Sequence, residues 1–145
     1  MTYLLDVNVL IALIDPHHVA HDDAHAWFDK TGAESWATCP LTENGLIRIV
    51  GSPRYPYSPG SPAAIAERLT VLRRLPGHTF WSDDLSIVDT ESVDPARILV
   101  SAQVTDTYLL ALARSKGGFL ATFDRKMTTV AVTEGKSALH VIPSR

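Results

Sequence analysis

The sequence predicts one α/β domain in which a mainly parallel sheet is covered by helices on both faces. Short apolar runs typical of buried strands alternate along the chain with amphipathic segments typical of helices, which implies crossover connections between parallel strands. The 145 residues are 46% hydrophobic and 20% charged, which is ordinary for a single globular domain. The sequence contains no internal repeat, low-complexity segment or domain linker. We therefore expect a three-layer α/β/α architecture.

The chain begins with a predicted strand and two predicted helices. The apolar run Tyr3–Leu5 is typical of a buried strand, and Asn8 is the predicted N-cap of a short helix. That helix ends at Ile14, because Asp15-Pro16 cannot continue it. The second helix is predicted over His18–Lys30, with Gly32 just after its end. Helical spacing predicts an apolar side formed by Val19, Ala24, Ala26 and Trp27.

The middle of the chain is predicted to contain two more strands and two more helices. The strand Trp36–Cys39 leads through a proline into the helix Leu41–Val50, which a Gly-Ser-Pro sequence ends. Residues 54–62 contain three prolines and a glycine and are predicted to form a loop. A helix over Ala63–Leu75 and a strand over Thr79–Trp81 follow.

The last third of the chain contains the clearest amphipathic helix. Residues 83–94 show no periodicity that distinguishes helix from strand. The segment Thr105–Lys116 has leucines and alanines at helical spacing and is followed by two glycines. The strands Phe119–Phe123 and Ala138–Ile142 complete the predicted sheet.

Composition limits the compartment but not the function. The net charge of −3 gives no support for nucleic-acid binding, although carboxylates that converge on a cation become locally positive. The single cysteine, Cys39, cannot form an internal disulfide, so we expect the protein to be located in the reducing cytoplasm. The sequence contains no apolar run of membrane-spanning length and no basic leader, so we expect neither a membrane span nor a signal peptide.

Four carboxylates are predicted to lie at the same edge of the sheet. Asp6 and Asp124 follow strands, while Glu43 and Asp106 lie in the first turns of helices that follow strands or loops. The carboxyl ends of parallel strands are where ligands bind in open α/β sheets. Converging carboxylates repel one another unless a cation neutralises them, and oxygen ligands suit Mg²⁺ or Mn²⁺. Each acid taken singly is also explained as a turn, cap or helix-dipole residue.

The acids lie in four segments that resemble, in order, the acidic motifs of PIN domains, most closely those of VapC-type toxins. The segments are Leu4–Leu10, Thr42–Arg48, Val104–Leu109 and Leu120–Asp124. Because they cover nearly the whole chain, residues 1–145 are predicted to form a single PIN domain. The resemblance implies a metal-dependent endoribonuclease that uses Mg²⁺ or Mn²⁺. It implies catalytic and metal-binding roles for Asp6, Glu43, Asp106 and Asp124, with supporting roles for Asn8 and Thr122. Thr107 departs from the small alanine that is common at its position.

The same resemblance implies the partners. It predicts an RNA substrate, a cognate antitoxin protein and a homodimer. An apolar antitoxin segment is expected against residues 18–30 and 41–50, with a basic side chain reaching the acids. Two alternatives stay open: a housekeeping PIN nuclease without an antitoxin, and a non-catalytic PIN-like binding module. A haloacid-dehalogenase-like phosphatase is disfavoured because it requires a second Asp where Asn8 stands, and a receiver domain because it requires an acidic pair near the chain start.

Other polar and aromatic residues are given weaker interpretations. Arg48 and Arg54 flank the loop after Glu43 and are possible RNA contacts. Two basic pairs, Arg73-Arg74 and Arg125-Lys126, are interpreted as solvated surface. The cluster of His17, His18, His21, Asp22, Asp23 and His25 has the spacing for a transition metal, but it offers no third His or Cys ligand nearby, and we interpret it as a polar helix face. Cys39 and the three tryptophans (Trp27, Trp36 and Trp81) are predicted to be packed in the core.

Overall fold

A computed structural model describes residues 1–144 and contains a five-stranded sheet in which every pairing is parallel. The strands are β1 (Tyr3–Leu5), β2 (Trp36–Thr38), β3 (His78–Phe80), β4 (Phe119–Thr122) and β5 (Leu139–Val141). Their spatial order is β3-β2-β1-β4-β5. The helices are α1 (Val7–Ile14), α2 (His21–Lys30), α3 (Pro40–Val50), α4 (Pro62–Arg73) and α5 (Val104–Ser115). The predicted α/β fold with a parallel sheet is confirmed.

Helices cover both faces of the sheet and make two separate cores. Because successive strand residues point to opposite faces, Leu4 and Leu5 enter different cores although both are fully buried. Leu5 packs with residues of α1, α2, α3 and α4, including Trp27 and Leu46. Leu4 packs with the leucines of α5, among them Leu109. The result is the predicted three-layer α/β/α arrangement.

The strand order places a topological switch point between β1 and β4. The chain continues from β1 to β2 and β3 on one side, whereas β4 and β5 lie on the other side. Crevices that bind ligands form beyond the carboxyl ends of the two strands where the order reverses. Asp6 directly follows β1, and Asp124 follows β4 after one intervening residue. The fold therefore brings the chain positions of two predicted acids to this edge.

The start of α1 differs from the sequence prediction. The N-cap is Asp6, whose Oδ1 accepts a hydrogen bond of 2.7 Å from the Val7 amide. Asn8, predicted as the cap, lies inside the first helical turn. Its side-chain amide donates instead to the Thr122 hydroxyl on β4. Capping preferences describe only neighbouring residues and do not predict such a contact. The predicted cap was therefore wrong by two residues.

Helix α2 begins three residues later than predicted. The His18 Nδ1 accepts from the Ala20 amide at 3.0 Å, and Asp15 Oδ1 accepts from the His17 amide at 2.9 Å. These side chains bind backbone groups in a turn, which competes with helix formation. Val19 is consequently 96% exposed. Ala26 is also exposed, so of the predicted apolar side only Ala24 and Trp27 are buried.

The remaining predicted helices and strands are confirmed to within two residues. Residues 83–94, which sequence periodicity left undetermined, contain turns and an isolated bridge between Val93 and Val132. Trp27, Trp36 and Cys39 are buried as predicted, and Trp81 is partly buried against the α5 core. Within residues 1–144, no helix combines the length and the apolar character needed to cross a bilayer.

Candidate active site

Asp6 is the most deeply buried acid at the switch point. Its side chain is 5% exposed, and its backbone amide donates to Ala121 O on β4 at 3.0 Å. Its Oδ2 accepts from the Thr122 hydroxyl at 2.8 Å. Burial raises the pKa of Asp6, and the Asp124 charge adds to that effect, while the hydrogen bonds from Thr122 and the Val7 amide act in the opposite direction. The pKa of Asp6 is raised overall, so the surroundings of this carboxylate disfavour its charged form.

Thr122 and Asn8 connect Asp6 to the Asp124 loop. The Thr122 hydroxyl donates to Asp6 and accepts from Asn8 Nδ2 at 3.1 Å and from the Asp124 amide at 3.1 Å. Asn8 Oδ1 accepts from the Phe123 amide at 3.3 Å. Both residues named by the resemblance as supporting thus lie in one network with Asp6. This network fixes the orientation of the Asp6 carboxylate.

Asp106 and Asp124 lie close enough to Asp6 to interact electrostatically with it. Asp106 is in the first turn of α5, and Asp124 Oδ1 accepts from the Lys126 amide at 2.9 Å. Burial raises the pKa of Asp106 to about 6, and the charges of Asp6 and Asp124 contribute. The structure therefore brings together three of the four predicted acids, which we call the Asp trio: Asp6, Asp106 and Asp124.

Glu43 is in the first turn of α3, but its carboxylate has other partners. Its Oε2 accepts from the Thr38 hydroxyl at 2.7 Å and lies 3.2 Å from Arg73 Nη1, which is 3.3 Å from Oε1. His78 Nε2 lies 2.8 Å from the Thr38 hydroxyl. Because the one Thr38 proton goes to Glu43, His78 donates to Thr38. Both Glu43 oxygens are thus occupied by the chain's own donors.

The Asp trio has the donor chemistry of a divalent-cation site. The charges of these carboxylates act on one another's surroundings, which a cation would neutralise, and oxygen donors suit Mg²⁺ or Mn²⁺. The donor set therefore fits such an ion in chemistry. Over residues 1–144, however, no three His, Cys, Asp or Glu side chains are gathered tightly enough to form a ready coordination sphere. Among the four acids, Glu43 has the most contacts to break before it could bind an ion.

The predicted RNA contacts and the histidine cluster lie elsewhere. Arg48 and Arg54 are exposed, and Arg48 is in the last turn of α3, roughly 7–8 Å along the helix axis from Glu43. Their role in RNA binding stays a prediction. His21 Nδ1 and His25 Nε2 lie 2.7 and 2.9 Å from the Ala12 and Leu13 carbonyls at the end of α1. These histidines thus satisfy helix-terminal carbonyls.

Sequence reasoning missed Arg73, which had been interpreted as solvated surface. Its guanidinium contacts Glu43 and lies 5.2 Å from the centre of the Phe80 ring. The only sequence signal is a basic pair at the end of a helix, which does not indicate a partner 30 residues away. Asp15 was also missed: it is 2% exposed and accepts a 2.5 Å hydrogen bond from the Tyr55 hydroxyl.

The most voluminous cavity described lies away from these acids. It measures about 660 Å³ and runs between α1 and α4. Its apolar lining includes Leu13, Leu72 and the exposed side chains of Val71 and Leu75. None of the four predicted acids lines this cavity.

Comparison with known families identifies the family to which the fold belongs. The family model described as the PIN domain matches residues 3–132, which include all four acids. The chain belongs to the PIN-domain family. The resemblance inferred from the four acidic segments is thereby confirmed for the family as a whole.

Curated relatives place this PIN domain in the VapC group. It is 43% identical over 135 residues to ribonuclease VapC44 of Mycobacterium tuberculosis, covering 91% of this chain and 92% of the relative. It is 41% identical to ribonuclease VapC39, covering 90% and 94%, and 40% identical to ribonuclease VapC38, covering 96% and 96%, both from the same organism. The more specific resemblance to VapC-type proteins is therefore confirmed as well.

A solved structure supports the fold independently of close sequence similarity. The crystal structure of VapBC2 from Rickettsia felis bound to a DNA fragment from their promoter superposes on this PIN domain with a TM-score of 0.53. The match covers 87% of this chain and 90% of that chain at 13% identity. At that identity the likeness concerns the arrangement of helices and strands alone.

Proposed function

We propose that this PIN domain is a metal-dependent endoribonuclease and the toxin of a toxin–antitoxin pair. The observation that carries the proposal is the Asp trio, which gathers at the switch point of a chain about 40% identical to VapC ribonucleases. The relatives support ribonuclease activity in general. The metal, the four catalytic residues and the cleavage mechanism are our proposal, supported by the chemistry of the carboxylates. The trio also disfavours a non-catalytic binding module, because mutually repelling acids would serve no purpose there.

Each proposed site residue has a definable task. Mg²⁺ or Mn²⁺ held by Asp6, Asp106, Asp124 and Glu43 would supply an activated water and charge stabilisation for phosphodiester cleavage. The Thr122 hydroxyl and the α1 N-terminus orient the Asp6 carboxylate. Asn8 and Thr122 together hold the Asp124 loop against α1.

The test is cleavage of single-stranded RNA by purified protein. We expect activity with Mg²⁺ or Mn²⁺ and none in excess EDTA. Asp6→Asn and Asp106→Asn should each remove most activity while the protein stays folded, since losing groups that act in the transition state lowers kcat. Asp29→Asn, which removes the same charge from an exposed position on α2, should be as active as wild type. Undiminished cleavage in EDTA would exclude the metal mechanism.

The proposed partner is an antitoxin protein, and the proposed substrate is RNA. The likeness of this chain to VapC ribonucleases supports an antitoxin partner, and the VapBC2 structure of Rickettsia felis shares the fold. The expected antitoxin position against α2 and α3 stays a prediction. The structure adds that large apolar residues of these helices, such as Phe28 and Leu46, are buried in the core. Exposed apolar side chains lie instead at α4, where Val71 is 62% exposed.

The toxin assignment can be tested by growth. Expression of the chain should arrest bacterial growth, and co-expression of its partner should restore growth. Truncating a basic residue of the partner that reaches the acids should restore ribonuclease activity with a modest loss of affinity, since anchoring comes from apolar contacts. If expression leaves growth unaffected, the housekeeping nuclease becomes the better hypothesis. A homodimer and a cytoplasmic location stay predictions, and sedimentation and cell fractionation would test them.

A further inference from the structure

The positively charged side chain of Arg73 lies beside Glu43, one of the four proposed metal ligands. Arg73 is the last residue of α4, and its side chain is 39% exposed while that of Glu43 is 17% exposed. One guanidinium nitrogen, Nη1, contacts both Glu43 oxygens. The guanidinium also lies over the Phe80 ring on edge strand β3, 5.2 Å from its centre. The stacking and the ion pair together restrict where the guanidinium can lie.

The remaining contacts of Glu43 hold it on the β2–β3 side of the site. The Thr38 hydroxyl at the end of β2 donates to Glu43, and His78 at the start of β3 donates to Thr38. The Asp trio is instead anchored on β1, β4 and α5. Glu43 is therefore connected to one half of the sheet edge and the trio to the other half.

We propose that Arg73 is a positioning residue: its ion pair with Glu43 holds this acid apart from the Asp trio until a divalent cation displaces the guanidinium. In this arrangement Arg73 competes with the cation for the same carboxylate. The proposal accounts for why Glu43 lies with Thr38 and Arg73 and not with the Asp trio. It rests on the proposed function, because it assigns Glu43 to the same metal site.

The ion pair is weak enough to be exchanged. Partly exposed pairs contribute modestly to stability because solvent screens the charges and two long side chains must be ordered. A divalent cation has a stronger attraction for the Asp trio than one guanidinium has for Glu43, since it interacts with several carboxylates at once. Metal binding and release of Arg73 are thus expected to be coupled and reversible.

The first experiment measures Mn²⁺ affinity of metal-free protein by calorimetry. Arg73→Gln should bind Mn²⁺ about two- to five-fold more tightly than wild type, since the competing pair is gone. Arg74→Gln is the matched control: it removes the same charge at the next position, and among residues 1–144 no acid forms a salt bridge with Arg74. It should change Mn²⁺ affinity clearly less. Equal or weaker binding by Arg73→Gln, or the same gain in Arg74→Gln, would overturn the proposal.

The second experiment uses the wild-type protein and so does not depend on how a variant folds. Mg²⁺ titration followed by NMR of arginine side chains should shift the Arg73 guanidinium signals and leave those of Arg74 in place. Arg73 signals that do not move at Mg²⁺ saturation would contradict displacement. If the displacement idea alone is wrong, cleavage still requires metal. If wild type binds neither ion and cleaves RNA in EDTA, the proposed function fails and the inference fails with it.

Discussion

Neutralising Asp106 should stabilise the metal-free protein, although Asp106 is a proposed catalytic residue. The pKa of Asp106 is raised from its usual 3.8 to about 6, first by burial and then by the charges of Asp6 and Asp124. Between pH 3.8 and about 6, Asp106 is therefore protonated in the native protein but ionised in the unfolded chain. The free energy of unfolding must then fall as the pH rises from about 4 through 6. Asp106→Asn removes this penalty.

The size of the effect follows from the shift. About two pKa units correspond to at most about 3 kcal/mol, and solvent screening of this half-buried group reduces the expected penalty to about 1–2 kcal/mol. At roughly 3 °C per kcal/mol for a domain of this size, the melting temperature should rise by about 3–6 °C at pH 7.5. At pH 4 the two proteins should be nearly equally stable, because Asp106 is protonated in the native wild type.

The assay is thermal unfolding, and urea unfolding for the free energy, in EDTA at pH 4 and at pH 7.5, both followed by circular dichroism. Asp29→Asn serves as the control, because it makes the same chemical change at an exposed residue. Saturating Mg²⁺ should stabilise wild type by mass action and Asp106→Asn much less. A loss of stability in metal-free Asp106→Asn at pH 7.5, or a difference that does not depend on pH, would refute the reasoning.

Three further substitutions test the surroundings of the site and the helix packing. Thr122→Val removes the hydroxyl that orients Asp6 and should lower Mn²⁺ affinity about 10–100-fold by calorimetry. Tyr55→Phe leaves the buried Asp15 carboxylate short of a donor and should cost about 1–3 kcal/mol in urea unfolding at pH 7. Burial acts to raise the pKa of Asp15, but the Tyr55 bond helps to hold it below its usual value, so this loss should shrink as the pH falls below 4. Gly45→Ala would place a Cβ 2.9 Å from a valine methyl of α1. This substitution should lower the free energy of unfolding by about 1–3 kcal/mol and the melting temperature with it.

The positions of the acids could be predicted because they depend on local pattern. Strand β1 is an apolar run that ends at Asp6, and β4 is one that ends just before Asp124. Parallel connectivity then requires both residues to lie at the same edge. Asp106 follows in the same way from its place in the first turn of a clearly amphipathic helix. These inferences need only periodicity and the handedness of crossover connections.

The errors occurred where a side chain binds a group that helix propensity does not take into account. Asn8 is a good N-cap by residue type, but its amide contacts Thr122, 114 positions away, and Asp6 caps α1 instead. The start of α2 was placed too early because His18 binds the Ala20 amide in a turn. Propensity rules do not include such competition, since they describe each residue against an average surrounding.

By itself the sequence determined the α/β class, the order of elements and which acids stand at the ends of strands and starts of helices. Only the tertiary structure decided how the acids divide: the Asp trio gathers at β1, β4 and α5, while Glu43 is held by Thr38 and Arg73. The physical reason is that secondary structure depends on hydrophobic period and caps, which are read along the chain. Charge pairing depends on distances between side chains, and Arg73 reaches Glu43 only because α4 returns the chain beside β3 and the start of α3.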